Sequence, residues 1–173
     1  MKGFVLGIIA TLAAIFLAGL IVLKAGLVNF SADKPPSDAE IHLAMSAVDA
    51  STDRRAPGLK NPLPANEETI VDGADLYMNH CAGCHGVPSN KDSVFPSSFN
   101  PPVPVFFKDP PDMSENQNFY IIQHGIRWTG MPAWNKTLND TQIWQLVTFL
   151  SNIEKLPPAA ATKLEIQGRT ETK

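Results

Sequence analysis

The chain has 173 residues, enough for one ordinary domain with extensions. Fourteen basic and 17 acidic residues leave a formal charge of −3, and no segment gathers Lys and Arg into a patch, which excludes a nucleic-acid-binding surface. Fifteen prolines are too many for a compact helical bundle, so long irregular segments are expected between helices.

Lys2 is followed by an uncharged apolar run over residues 3–23, closed by Lys24. At roughly 1.5 Å per residue these 21 residues span about 31 Å, enough to cross the hydrocarbon core of a bilayer. A cleaved signal peptide has a shorter apolar region, of about 7–15 residues, and small residues three and one before the cut. Immediately after this run no such pair occurs: Ala25 has Leu23 ahead of it and Ala32 has Phe30. An uncleaved anchor over 1–30 is therefore expected. Lys2 opposes Lys24 and Lys34, so charge alone does not set its orientation.

Residues 31–65 read as a spacer containing one helix. Ser37 with Glu40 is a capping-box pair, and Ile41, Met45 and Val48 then recur at helical spacing, predicting a short amphipathic helix over 38–50. His42 belongs to its polar face. Pro57, Pro62 and Pro64 make residues 56–64 an extended linker.

A helix is predicted from Glu67 to about His80. Asn66 caps it, Glu67 and Glu68 sit at its positive end, and Ile70, Ala74 and Tyr77 share a face that Cys81 continues. Gly73 lies on the same side. A mid-helix glycine costs about 1 kcal/mol relative to alanine, so it calls for a packing reason.

The segment Cys81-Ala82-Gly83-Cys84-His85-Gly86 holds both cysteines of the chain. Cys-x-x-Cys-His is the attachment pattern of haem c. Two thiols three residues apart on a helical turn reach the two vinyl groups of a porphyrin edge, and the following histidine can offer a neutral imidazole to iron. A zinc site would need further ligands, and His42, His80 and His124 complete no Cys/His pattern. A thioredoxin-like pair would need a βαβ context, and a disulfide across two residues would close a small, strained loop.

Residues 87–111 contain seven prolines. At 25 residues this is long for a structureless loop, so it is expected to wrap an apolar surface with Phe95, Phe99, Val103, Val105, Phe106 and Phe107. Ser114 with Gln117 opens a helix running to about His124, and Gly125 suits the position after it. Gly130-Met131-Pro132 then carries a methionine whose backbone the following proline keeps out of helical geometry. Asn139 with Gln142 opens a last helix to about Glu154, stapled by Leu138 and Ile143 and burying Ile143, Leu146, Val147 and Leu150, with Trp144 and Phe149 beside that stripe. Pro157-Pro158 is expected to end the ordered domain, leaving 158–173 as a mobile tail.

Gly73, Tyr77, Cys81-x-x-Cys84-His85-Gly86, Gly130-Met131-Pro132 lying 46 residues past His85, and a closing helix with Leu146 and Phe149 follow one another in a set order. With that order and spacing, residues 66–157, about half the chain, resemble a class I c-type cytochrome domain. Residues upstream of Asn66 are outside the resemblance. It implies an all-α fold of three to four helices around one haem, with first and last helices crossing where Gly73 allows close approach. It implies one covalent haem c held by Cys81 and Cys84, His85 as proximal ligand and Met131 as distal ligand. Met113, just ahead of a capped helix, is the rival and reads as a hydrophobic contact; Met45 and Met78 read as packing residues. The family fixes the histidine ring through a proline carbonyl, for which Pro101 or Pro102 is the candidate. Arg127, Trp128 and Trp134 are candidate partners of the haem propionates.

The implied function is a single-pass electron carrier, not an enzyme. It is expected in the bacterial cytoplasmic (inner) membrane with its haem domain in the periplasm, exchanging electrons with membrane and periplasmic redox proteins and acting on no small-molecule substrate. Two alternatives remain: a fixed haem subunit of a larger respiratory oxidoreductase, or a haem enzyme or gas sensor with a labile Met131. Residues 66–157 carry five basic against ten acidic residues, a balance of −5 that argues for partners with a basic docking face.

Overall fold

The computed structural model describes residues 2–56, 58–93 and 95–170, the last five of these by backbone alone. Pro57 of the expected linker and residues 171–173 of the expected tail lie outside the described residues. The chain divides into two units, Met1–Ser31 and Ala32–Lys173. Among the described residues there are seven α-helices and no strand, in line with the expected all-α class.

The first unit is helix α1, Lys2–Lys24, long and apolar enough to cross a membrane, with none of its residues buried against protein. Its one hydroxyl is not left open: Thr11 Oγ1 donates to Gly7 O at 3.0 Å, so the run presents no unpaired polar side chain to hydrocarbon.

In the second unit α2 spans Asp38–Arg55, five residues beyond the expected end. The Ser37–Glu40 capping box forms. The expected apolar stripe is not covered, for Ile41 and Met45 are exposed and Val48 is half-buried. The C-terminal end is what docks. Thr52 and Ala56 are buried, Asn116 Nδ2 donates to Ala56 O at 2.9 Å, and Gln117 Nε2 donates to Asp53 Oδ1 at 2.8 Å. The linker that follows is strapped down at Asn61, whose Nδ2 donates to the buried Thr148 Oγ1 at 2.8 Å.

Helices α3 (Glu67–His80) and α6 (Asp140–Ser151) form the heart of the domain. Asn66 caps α3, and Asn139 with Gln142 closes a capping box on α6. Their contact is backbone on backbone. A Cβ at Gly73 would fall 2.2 Å from Gln145 O and 2.7 Å from Phe149 Cβ, which is the packing reason the sequence called for. Tyr77, Ile143, Leu146, Val147 and Phe149 are fully buried around this contact, and the Tyr77 and Phe149 rings lie 5.0 Å apart. Burying each such side chain stabilises the fold by about 1.5–3 kcal/mol. Helix α5 (Glu115–His124) closes the other side of α6, with Phe119 stacked on Trp144 at 4.2 Å.

The mobile tail expected from residue 158 is instead helix α7, Pro158–Thr170. Proline stops a helix from within but suits its first turn, where the missing N–H has no partner to lose. Ala160 and Leu164, one turn apart, are fully buried, and Lys163 pairs with Asp75 of α3.

Candidate haem site

The two thiols and the histidine leave the end of α3 on a single turn. Cys81 N–H donates to Tyr77 O at 2.8 Å, and Cys81 O accepts from Cys84 N at 3.0 Å and His85 N at 2.9 Å, so the chain enters the one-turn helix α4, Ala82–His85, without a break. The buried Tyr77 hydroxyl donates to Gly86 O at 2.7 Å and fixes the exit. Both cysteines are free thiols. Burial, then the neighbouring Cys84, pushes the Cys81 thiol up to about 12, so it stays protonated at neutral pH and is a poor thiolate nucleophile. That environment speaks against a redox dithiol. Among the described residues, no group of three or more His, Cys, Asp and Glu is placed to hold a metal ion.

His85 Nδ1 donates to Pro104 O at 2.9 Å. A carbonyl can only accept, so the proton sits on Nδ1 and the Nε2 lone pair is available. Burial holds this histidine below its ordinary range, with the Pro104 bond opposing, and keeps the ring neutral at pH 7. The bracing carbonyl is thus Pro104, not Pro101 or Pro102. The loop settles the choice by returning alongside the turn: Phe106 N donates to His85 O at 3.2 Å, and Val105 Cγ1 would meet a Cβ at Gly86 at 3.0 Å. Pairing at Phe106 brings the carbonyl two residues earlier to the ring edge. Phe106 also stacks on His85, with centroids 4.1 Å apart and planes 10° from parallel.

Met131 sits on a clamped loop. Trp134 N donates to Ile122 O at 3.1 Å, Asn135 N to Gln123 O at 3.2 Å, and Ile126 N to Met131 O at 3.2 Å. Gly125, at φ +68°, lies under this loop: a Cβ there would fall 2.7 Å from Met131 O and from Pro132 C. Phe99 of the long loop packs on Gly130 from the other side. Met131 is half-buried against the same core that takes Cys81, Phe106, Phe107 and Trp134. The His80 and Trp134 rings, 5.2 Å apart, join the end of α3 to the end of the Met131 loop.

The rival Met113 stands before the capped α5 with its carbonyl taken by Asn118 Nδ2 at 3.0 Å, in keeping with a contact at the helix start. Arg127 is exposed, as is His42, and Trp128 is 91 % exposed. Two residues escaped the sequence reading. Nothing in a run of prolines singles out Pro104. Thr129, whose Oγ1 accepts from Met131 N at 3.1 Å, carried only the general signal that a hydroxyl residue two positions ahead can form a local turn.

Residues 68–150 match the family described as cytochrome C oxidase, cbb3-type, subunit III. No match was found among curated proteins or solved structures. The matched region holds most of α3, the Cys81 turn, α5, the Met131 loop and most of α6. Residues 68–150, just under half of the chain, thus carry a c-type cytochrome domain that fits a class I cytochrome c fold, and in sequence they follow an N-terminal helix long and apolar enough to span a membrane.

Proposed function

We propose that this protein is a membrane-tethered periplasmic electron-transfer cytochrome carrying one haem c, with Cys81 and Cys84 in thioether linkage and His85 and Met131 as axial ligands. The observation that carries this reading is the Cys81 turn itself: two free thiols three positions apart, followed by a neutral imidazole whose Nδ1 is tied to Pro104 O. This donor set fits haem c, and the half-buried Met131 thioether supplies the soft second ligand. The group contributes a one-electron Fe(III)/Fe(II) couple when bound. The chain's part is to orient the imidazole, present the sulfur, and surround both with Phe99, Phe106 and Phe107, an apolar setting that disfavours the extra positive charge of the oxidised state. A retained Met131 leaves no position for O₂ or peroxide.

The proposed organisation is an anchor over 1–30, a spacer over 31–65 and a cytochrome domain over 66–157. Helix α1 supports the inner-membrane placement, and covalent haem attachment outside the cytoplasm supports the periplasmic side. Tethering raises the effective concentration of docking surfaces and lets weak contacts suffice. The test is covalent haem staining after denaturing electrophoresis, with a far-red Met–iron band in the oxidised spectrum and no CO binding by the reduced form. A chain that loses its haem on denaturation would sink the proposal, and rapid CO binding would favour a labile-ligand enzyme or sensor.

A second reading, a fixed subunit of a larger respiratory oxidoreductase, is favoured by the description of the matched family and by the exposed Ile41, Leu43 and Met45 of α2. Blue-native electrophoresis of mild detergent extracts separates the two. Migration as a lone small protein supports the carrier, and co-migration with a large complex supports the subunit.

A further inference from the structure

We infer that the Thr129 hydroxyl is the positioning group that holds Met131 in its ligand-presenting place, an inference that rests on the reading of Met131 as an axial ligand. Thr129 Oγ1 donates to Ile126 O at 2.7 Å and accepts from Met131 N–H at 3.1 Å. A hydroxyl has one proton to give, so the two bonds have fixed directions and together bridge the two ends of the loop segment. Ile126 N–H donates to Met131 O at 3.2 Å, so both backbone polar groups of Met131 are held, one by Thr129 and one by Ile126. The loop lies so close over Gly125 that even a Cβ there would overlap Met131 O and Pro132 C. The following Pro132 has no N–H with which to add a further anchor.

The segment does not lie in this shape by preference. Thr129 N–H closes a turn onto Ile126 O at 3.3 Å, and that turn places Trp128 at φ +62°. A bulky side chain avoids this left-handed region, and Trp128, 91 % exposed, gains little burial there. The turn therefore pulls toward relaxation, and the second bond to Ile126 O, from the hydroxyl, opposes it. Removing the hydroxyl leaves the turn with its backbone bond alone and releases Met131 N–H at once. Losing a net hydrogen bond of ordinary strength shifts the equilibrium between sulfur-bound and sulfur-detached forms about three- to tenfold toward detachment.

The experiment uses the full-length holoprotein in detergent. The far-red Met–iron band of the oxidised form is followed as pH rises, and CO binding is followed in the reduced form. Thr129→Val should lower the pH midpoint for loss of the band by about 0.5–1 unit, the logarithm of that population shift, and should speed CO binding by a similar factor. Thr129→Ser keeps the hydroxyl and should behave as the parent protein; where Thr129→Val accumulates no holoprotein, Thr129→Ala is read in its place. A parental midpoint in the hydroxyl-free variant overturns the inference, and so does a serine variant displaced as far as the valine one, since packing of the methyl would then be the cause. A parent protein lacking the band, or Met131→Ala retaining it, overturns the axial-ligand reading itself and is distinguishable from both.

Discussion

At Gly73 two helices touch without a side chain between them, and the geometry decides which of two opposing effects wins. Gly73→Ala improves helix propensity by about 1 kcal/mol. The new methyl, however, would lie 2.2 Å from the Gln145 carbonyl oxygen, which is backbone and cannot swing aside. Overpacking of that kind costs about 1–3 kcal/mol or more, so net destabilisation is expected in chemical denaturation of the holoprotein. Tyr77→Phe removes a buried hydroxyl and leaves Gly86 O without its 2.7 Å donor, for an expected loss of about 1–3 kcal/mol at nearly unchanged packing volume. Trp128→Gly should run the other way. It exchanges a strained left-handed tryptophan for the one residue at ease there, and equal or higher stability, by up to about 1 kcal/mol, is expected. A clear loss would mean that the indole is packed in the holoprotein.

The elements show why parts of the chain were legible and others were not. Helices α3, α5 and α6 each announce themselves by a cap residue, joined in α5 and α6 by a glutamine three positions on and in α3 and α6 by an apolar stripe, and their starts stand where Asn66, Ser114 and Asn139 predict. These are local signals, readable within one turn. The Cys81 turn is equally local. Pro104 is not, because its selection depends on Phe106 pairing with His85 across the loop, and several prolines compete for the role. Helix α7 was missed because Pro157-Pro158 reads as a stop, whereas Pro158 occupies a helix start and the burial of Ala160 and Leu164 is a tertiary fact. Leu164→Ala tests that helix. A fully buried leucine truncated to alanine costs about 2–5 kcal/mol, measurable as a lowered denaturation midpoint, while a leucine in a mobile tail would cost nothing.

For the whole molecule, the division into two units predicts separable behaviour. A chain starting at residue 32 retains the core around Tyr77 and Phe149 and should remain soluble with the parental visible spectrum, while the full chain should stay with membranes through alkaline washing. The −5 balance of residues 66–157 gives a further expectation: electron exchange with a partner bearing a basic face should slow as ionic strength rises past about 0.1 M, where the screening length falls to about 10 Å. Insensitivity to salt would point instead to an apolar or permanently assembled contact. The pairing of Asp75 with Lys163 has a consequence for how the protein is made. Eighty-eight positions separate these partners, and 73 separate Asp72 from Gln145, whose side chains are also bonded. At about 5–20 residues per second, α7 is made roughly 4–18 s after the helix it covers. The thiols at the end of α3 therefore exist for seconds before the segments that complete their surroundings, an interval during chain growth in which they are open to derivatisation.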